Sequence, residues 1–122
     1  MENFISIVEI PTNSFARAVK FYQSVFNIGI REIDMQGTQM GLFPGGEGPV
    51  NVALVKGDDY KPSATGTLVY FNGGDDLQNL LHKIEPAGGK VLLPKTLIDA
   101  ENGFFAIFTD TEGNKLGLHS YK

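Results

Sequence analysis

The chain has no cysteine and no tryptophan, and no apolar run in it approaches the roughly 18 residues that a membrane-spanning helix requires. Without cysteine there can be no disulfide, no thiolate metal ligand and no cysteine nucleophile, which fits a reducing compartment. Positive charge is also sparse. Ten Lys and Arg stand against 14 Asp and Glu, for a net charge of -4, and they are scattered singly rather than gathered into a stripe that could neutralise a phosphate backbone. Neither nucleic acid nor a membrane is an expected partner. The opening MENFISIVEI has no basic stretch ahead of its apolar residues and no cleavage-site pattern, so the expected location is cytoplasmic.

What is present suits a small domain of many short strands. A chain of 122 residues falls in the single-domain range and can bury roughly two-thirds of the surface its unfolded form exposes. Its 15 glycines supply the tight turns that such strands need. The residues from Phe4 to Ile10 are nearly all apolar or β-branched apart from Ser6 and Glu9, and they stop at Pro11. This predicts a strand buried on both faces. In SFARAVKFYQSVF, Phe15, Ala18, Val19, Tyr22 and Phe26 recur at three- and four-residue steps, with Arg17, Lys20 and Ser24 opposite. That spacing predicts an amphipathic helix near 14–27, capped by Asn13 or Ser14. Strand-like pieces follow at Ile30 to Met35, Thr38 to Phe43 and Val50 to Val55, divided by Gln36-Gly37 and by PGGEGP. Both breaks read as hairpin turns, since PGGEGP lacks the lysine and the following helix of a phosphate-binding loop.

The polar stretch GDDYKPSATG then separates two halves, placed at about 1–57 and 65–122 with a linker of about 58–64 inside one domain of 1–122. The order repeats after it. Thr67 to Phe71 reads as a strand, and Asp75 or Asp76 caps a helix near 75–85 with Leu77, Leu80, Leu81 and Ile84 on one face and His82 in solvent. Pro86 and Gly88-Gly89 end that helix, and strands follow at Lys90 to Leu93, Phe104 to Thr109 and Lys115 to His119, with DTEGN as the last turn. The expected fold is α+β, two βαβββ half-repeats with helices on the outer face of a curved mixed sheet whose bare faces form a cup.

VEIPTNSFARAVKFYQSVFNI, GGDDLQNLLHKIEPAGGKV and FFAIFTDTEGNKLGLHS stand in this order, and together they resemble the opening, second helix and closing hairpin of the vicinal oxygen chelate superfamily. That family includes glyoxalase I, bleomycin-resistance proteins and extradiol dioxygenases. The resemblance implies a fold shared by many functions, homodimers, and, in the metalloenzymes, four His, Glu or Gln ligands from the first and last strands of each half. The matching positions here fall near Ile5 or Ile7, at Ala53, at Thr67 and at Gly117. Thr67 alone offers an oxygen, and a lone neutral hydroxyl is a poor ligand. Ser6 or Asn51, one residue away, would not complete a site. No metal and no other cofactor is therefore expected.

Strand alternation puts Glu9 with Ile5 and Ile7, and His119 with Lys115 and Gly117. The resemblance turns those sides inward, which makes Glu9 and His119 the candidate acid–base residues, paired if their strands approach. Each also has a plainer reading as a strand-end residue satisfied by a local partner. The strand aromatics Phe43, Tyr70, Phe71, Phe104, Phe105 and Phe108 supply core or wall, and the expected ligand-binding set is Ile7, Asn51, Thr67, Val69, Phe71 and Phe104. Three functions are open: a metal-independent small-molecule binding protein, a glyoxalase-like lyase or isomerase with Glu9 as base, and an interaction module with a filled cup.

Overall fold

The computed structural model describes residues 3–122. Its chain separates into two compact units, Met1–Pro62 and Ser63–Lys122, each α+β and each running strand, helix, three strands. In the first unit these are β1 (Ile7–Pro11), α1 (Phe15–Phe26), β2 (Arg31–Met35), β3 (Thr38–Leu42) and β4 (Asn51–Lys56). The sheet order is β1-β4-β3-β2, with β1 parallel to β4 and the other neighbours antiparallel.

α1 buries Phe15, Ala18, Val19 and Tyr22 as the spacing predicts, and Phe21 and Val25 in addition. Tyr22 is fully enclosed because aromatic rings surround it: Phe21 lies edge-on at 4.9 Å, Phe26 stacks at 6.2 Å and Phe43 tilts at 5.6 Å. Ser14 is the N-cap residue, and its backbone carbonyl rather than its side chain closes the first turn, accepting from Ala18 N–H at 3.0 Å. At the other end Asn27 takes φ 54, a left-handed conformation that asparagine tolerates better than most residues. The turn between β2 and β3 has Gln36 at φ 53 and Gly37 at φ 87, the two positive values that a type I′ hairpin requires. PGGEGP links antiparallel β3 and β4, and Asn51 clamps it by accepting from Gly46 N–H and donating to Gly46 O.

β1 departs from its expected form. It starts at Ile7 rather than Phe4, which is 94% exposed, and it is not buried on both faces, since Ile10 is 3% exposed and Ile7 62%. The cause is that α1 covers one face of the sheet. Ile10 lies beside Leu54 and Gly41 on the face that meets Phe15 of α1, whereas Ile7 and Glu9 project from the other face.

The second unit contains β5 (Tyr70–Asn72), α2 (Gln78–Ile84), β6 (Lys90–Asp99), β7 (Gly103–Thr109) and β8 (Lys115–Ser120). Its order, β5-β8-β7-β6, again has the first strand parallel to the last. Leu77, Leu81 and Ile84 are buried, and His82 is exposed as expected. The N-cap is Leu77 rather than Asp75 or Asp76; Asp76 stands just ahead of it, where its Oδ1 accepts from Gln78 N–H at 2.9 Å and from Lys95 Nζ at 2.8 Å. Lys95 first, and the Gln78 amide second, hold its carboxyl below the ordinary aspartate range. The small stability this confers is therefore present above that ordinary range and fades as pH falls through the lowered value.

Two strands differ from expectation. β5 begins three residues after Thr67, because its ladder with β8 runs from Tyr70 beside Gly117 to Asn72 beside His119. β6 continues past Leu93 to Asp99, straight through Pro94. An edge strand can hold a proline where the ladder slips, and the register with β7 does shift between Leu93 and Thr96. The DTEGN turn buries Asp110, Glu112 and Asn114 and is densely bonded: Asp110 Oδ1 accepts from Glu112 N–H and Asn114 N–H at 2.9 and 3.0 Å, and Asn114 Nδ2 donates to Asp110 Oδ2 at 3.0 Å.

Candidate functional site

Alternation along β8 sends Gly117 and His119 to one face and Leu116, Leu118 and Ser120 to the other. The register then places Tyr70 beside Gly117, Asn72 beside His119 on β5, and Phe105 opposite His119 on β7. Tyr70, Asn72, Phe105 and His119 therefore share a face. Over it opens a cavity of about 720 Å³, walled further by Ile98 and Tyr121. Its aromatic lining comes in two pairs, the Tyr70 and Phe105 rings 6.3 Å apart and the His119 and Tyr121 rings edge-on at 4.7 Å.

His119 is fixed by its Nε2, 2.7 Å from the Asn102 carbonyl oxygen. Asn72 is fixed by its Oδ1, which accepts from Gly74 N–H at 2.9 Å. Glycine at 117 is required by Tyr70, since a Cβ built there runs into the Tyr70 ring. The Ser120 hydroxyl, though near, is occupied: it accepts from Leu77 N–H at 2.9 Å and donates to Lys122 O at 2.8 Å.

The first unit presents a different arrangement on the face that carries Ile7 and Glu9. Glu9 Oε1 accepts from the Tyr60 hydroxyl at 3.2 Å, and this bond, with the carboxylate charge behind it, raises the Tyr60 pKa. The hydroxyl thus stays protonated further into alkaline pH, and whatever stability the contact confers is intact at neutral pH and lost only as pH climbs through the raised value. In a tyrosine-ring NMR titration, Glu9→Gln is expected to bring the Tyr60 midpoint back toward the ordinary phenol range. An unchanged midpoint would show that the contact does not form in solution.

The expected ligand-binding residues are spread over both units. Ile7 and Asn51 are register neighbours on β1 and β4, and the Asn51 amide is engaged with Gly46. Thr67 is exposed ahead of β5, and the Val69 carbonyl accepts from Gly117 N–H at 2.9 Å. Phe71, between Tyr70 and Asn72, contributes to the cavity lining as expected, while it is itself buried beside Leu118. Phe104 alternates away from His119 and carries Lys95 Nζ 4.5 Å over its ring. Asn72, Ile98 and Tyr121 line the cavity without having been expected there. For Asn72 the signal was present, because a strand ending one residue later sets it next to His119.

The positions that the resemblance matches to a metal site carry residues that do not fit a divalent ion. Ile5 and Ala53 are hydrocarbon, Gly117 lies under the Tyr70 ring, and Thr67 brings a single hydroxyl. Among the described residues no three His, Cys, Asp or Glu side chains gather where they could bind a metal. No helix among those residues is long and apolar enough to cross a membrane.

The model of the Glyoxalase/Bleomycin resistance protein/Dioxygenase superfamily matches residues 5–118. Among solved structures, a variant of glyoxalase I from Zea mays aligns with a TM-score of 0.76 and 18% identity over 95% of this chain, which spans 45% of that protein's chain. A glyoxalase/bleomycin resistance protein from Albidiferax ferrireducens aligns at 0.73 and 15% identity, covering 95% of this chain and 97% of the other. The fosfomycin resistance protein FosX from Listeria monocytogenes, solved with Mn(II) and 1S,2S-dihydroxypropylphosphonic acid, aligns at 0.71 and 15% identity, covering 98% and 93%. At such identities the likeness is one of fold. No curated protein matches the chain.

Proposed function

We propose, from the premise that this chain belongs to the glyoxalase/bleomycin resistance protein/dioxygenase superfamily, that it binds a small molecule without a metal, in the cavity of the second unit. The observation that carries this reading is the cavity itself, of about 720 Å³ and walled by Tyr70, Phe105, Ile98 and Tyr121 with Asn72 and His119 among them. Mostly apolar concave sites with a few placed polar groups are the usual form of small-molecule pockets. An interaction module filled by its own side chains would leave no such space. The donor set described above supports metal independence, and pairing of two chains, as the family resemblance implies, completes the proposal.

A second reading, a glyoxalase-like lyase or isomerase, is favoured by one observation: Glu9 is an exposed carboxylate whose contact with Tyr60 gives it a fixed orientation, as a general base needs. The two readings separate in a thermal-shift screen of neutral aromatic compounds with and without Zn²⁺, Ni²⁺ and Mn²⁺. A ligand at a hundred times its Kd stabilises by about 2.7 kcal/mol, a rise of several degrees for a chain this size. Stabilisation that persists with a chelator and disappears in Phe105→Ala supports the binding reading, and stabilisation that requires a metal refutes it. Light scattering giving the 13.3 kDa of one chain at micromolar concentration would refute the dimer.

A further inference from the structure

The polar groups of the cavity specify the chemistry of its occupant, an inference that rests on the reading of the cavity as a ligand site. His119 Nε2 lies 2.7 Å from the Asn102 carbonyl oxygen, and a carbonyl can only accept. In the neutral imidazole Nε2 must therefore carry the hydrogen, which fixes the tautomer and leaves Nδ1 as a bare acceptor. Asn72 is constrained in the opposite sense. Its Oδ1 already accepts from Gly74 N–H at 2.9 Å and keeps one lone pair, so the group left wholly unpaired is the NH₂ donor. Among the described residues no hydrogen-bond partner reaches either Nδ1 of His119 or Nδ2 of Asn72.

These two residues are register partners on adjacent strands, whose backbones run about 4.8 Å apart, so an acceptor and a donor rise from neighbouring positions on one face. The hydroxyls of Tyr70 and Tyr121 can turn to donate or accept and so do not discriminate. Nor does charge. Among the described residues that line the cavity there is no Asp, Glu, Lys or Arg, so an anionic or cationic ligand would lose hydration with no countercharge to replace it.

We infer that the cavity selects a neutral, flat aromatic molecule whose edge carries an N–H beside a C=O, as in a cyclic amide. Its N–H donates to His119 Nδ1, its C=O accepts from Asn72 Nδ2, and its ring lies among Tyr70, Phe105 and Ile98. The edge complements the pair in one orientation, which fixes the position of the ring as well as its chemistry.

The test uses three probes of similar size on the intact chain by isothermal titration: 2-quinolinone, N-methyl-2-quinolinone and naphthalene. 2-Quinolinone is expected to bind about tenfold or more tightly than its N-methyl form, which leaves Nδ1 unpaired. His119→Phe is expected to bring those two affinities together. Asn72→Asp keeps the acceptor for Gly74 but turns the donor into a second acceptor, and it is expected to weaken both quinolinones about tenfold while leaving naphthalene unchanged. Should His119→Phe not fold, Asn72→Asp decides alone. Equal affinity of the native chain for all three probes overturns the inferred ligand class but leaves the cavity as a binding site. Binding by none of the three overturns the cavity reading, and this inference with it.

Discussion

Gly103→Val is expected to lower the unfolding free energy by about 3 kcal/mol or more, from backbone strain and overpacking together. Gly103 sits at φ 79, where a side chain is strained, and a Cβ there meets the Ser120 carbonyl and lies 2.6 Å from Tyr121 Cα. Both are backbone atoms, so no rotamer change can relieve the contact. Gly113 is the control, since its φ is 90 but nothing stands within 4 Å of a built Cβ. Gly113→Ala should therefore cost only the conformational part, about 1 kcal/mol. Urea denaturation of Gly103→Ala and Gly113→Ala compares the two directly, and equal losses would mean that the close approach at Gly103 is absent. The variant also reports on the cavity, because the neighbouring Asn102 carbonyl anchors His119. Histidine ring NMR signals should shift in Gly103→Ala and stay in place in Gly113→Ala.

The other large effect is expected at Asp110. Asp110, Glu112 and Asn114 are all buried, and the Asp110 carboxylate receives two backbone N–H groups and the Asn114 amide. Asp110→Ala leaves those donors without that acceptor, at about 1–3 kcal/mol each where water cannot reach them, so a total near 3 kcal/mol is expected. Asp110→Asn retains one acceptor oxygen and should cost less than half as much. Thermal unfolding distinguishes the pair, and equal midpoints for both variants would show that water replaces the lost bonds. The damage should extend beyond the turn: Asn114 Oδ1 accepts from Ser63 N–H at 3.1 Å, and Ser63 O accepts from Lys115 N–H at 3.3 Å. Hydrogen exchange at Ser63 is expected to quicken with the variant.

Much of the fold is legible in the sequence because its signals are local. A period of three to four residues identifies both helices, and the Gln36-Gly37 break between two strand-like pieces identifies a hairpin, which the structure closes with two positive φ values. What could not be read depends on neighbours remote in the chain. The apolar character of Phe4 and Ile5 suggests a strand, yet the pairing of β1 with β4 begins at Ile7 beside Asn51. Pro94 suggests a stop, yet an edge position lets β6 run on. The site follows the same division. Alternation sets His119 on the face of Gly117, but nothing in the pair Phe104-Phe105 tells which ring joins it, and the register with β8 chooses Phe105. Asn72 enters for the same reason, through a parallel pairing that brings together opposite ends of the second unit.

That pairing of first strand with last bears on the order in which the chain acquires its structure. In each unit the antiparallel neighbours, β2 with β3 and β7 with β8, are joined by short turns and can close within microseconds. β1 and β5 cannot pair until β4 and β8 have emerged, and each closure spans almost the whole unit, with the entropy loss that a long loop entails. During synthesis the opening strand of each unit therefore waits unpaired while the rest is made. The exposed Ile7 and Glu9 edge is the last part of its sheet to be secured, and the Asn72–His119 pair, which depends on the same kind of closure, exists only after the final strand has docked.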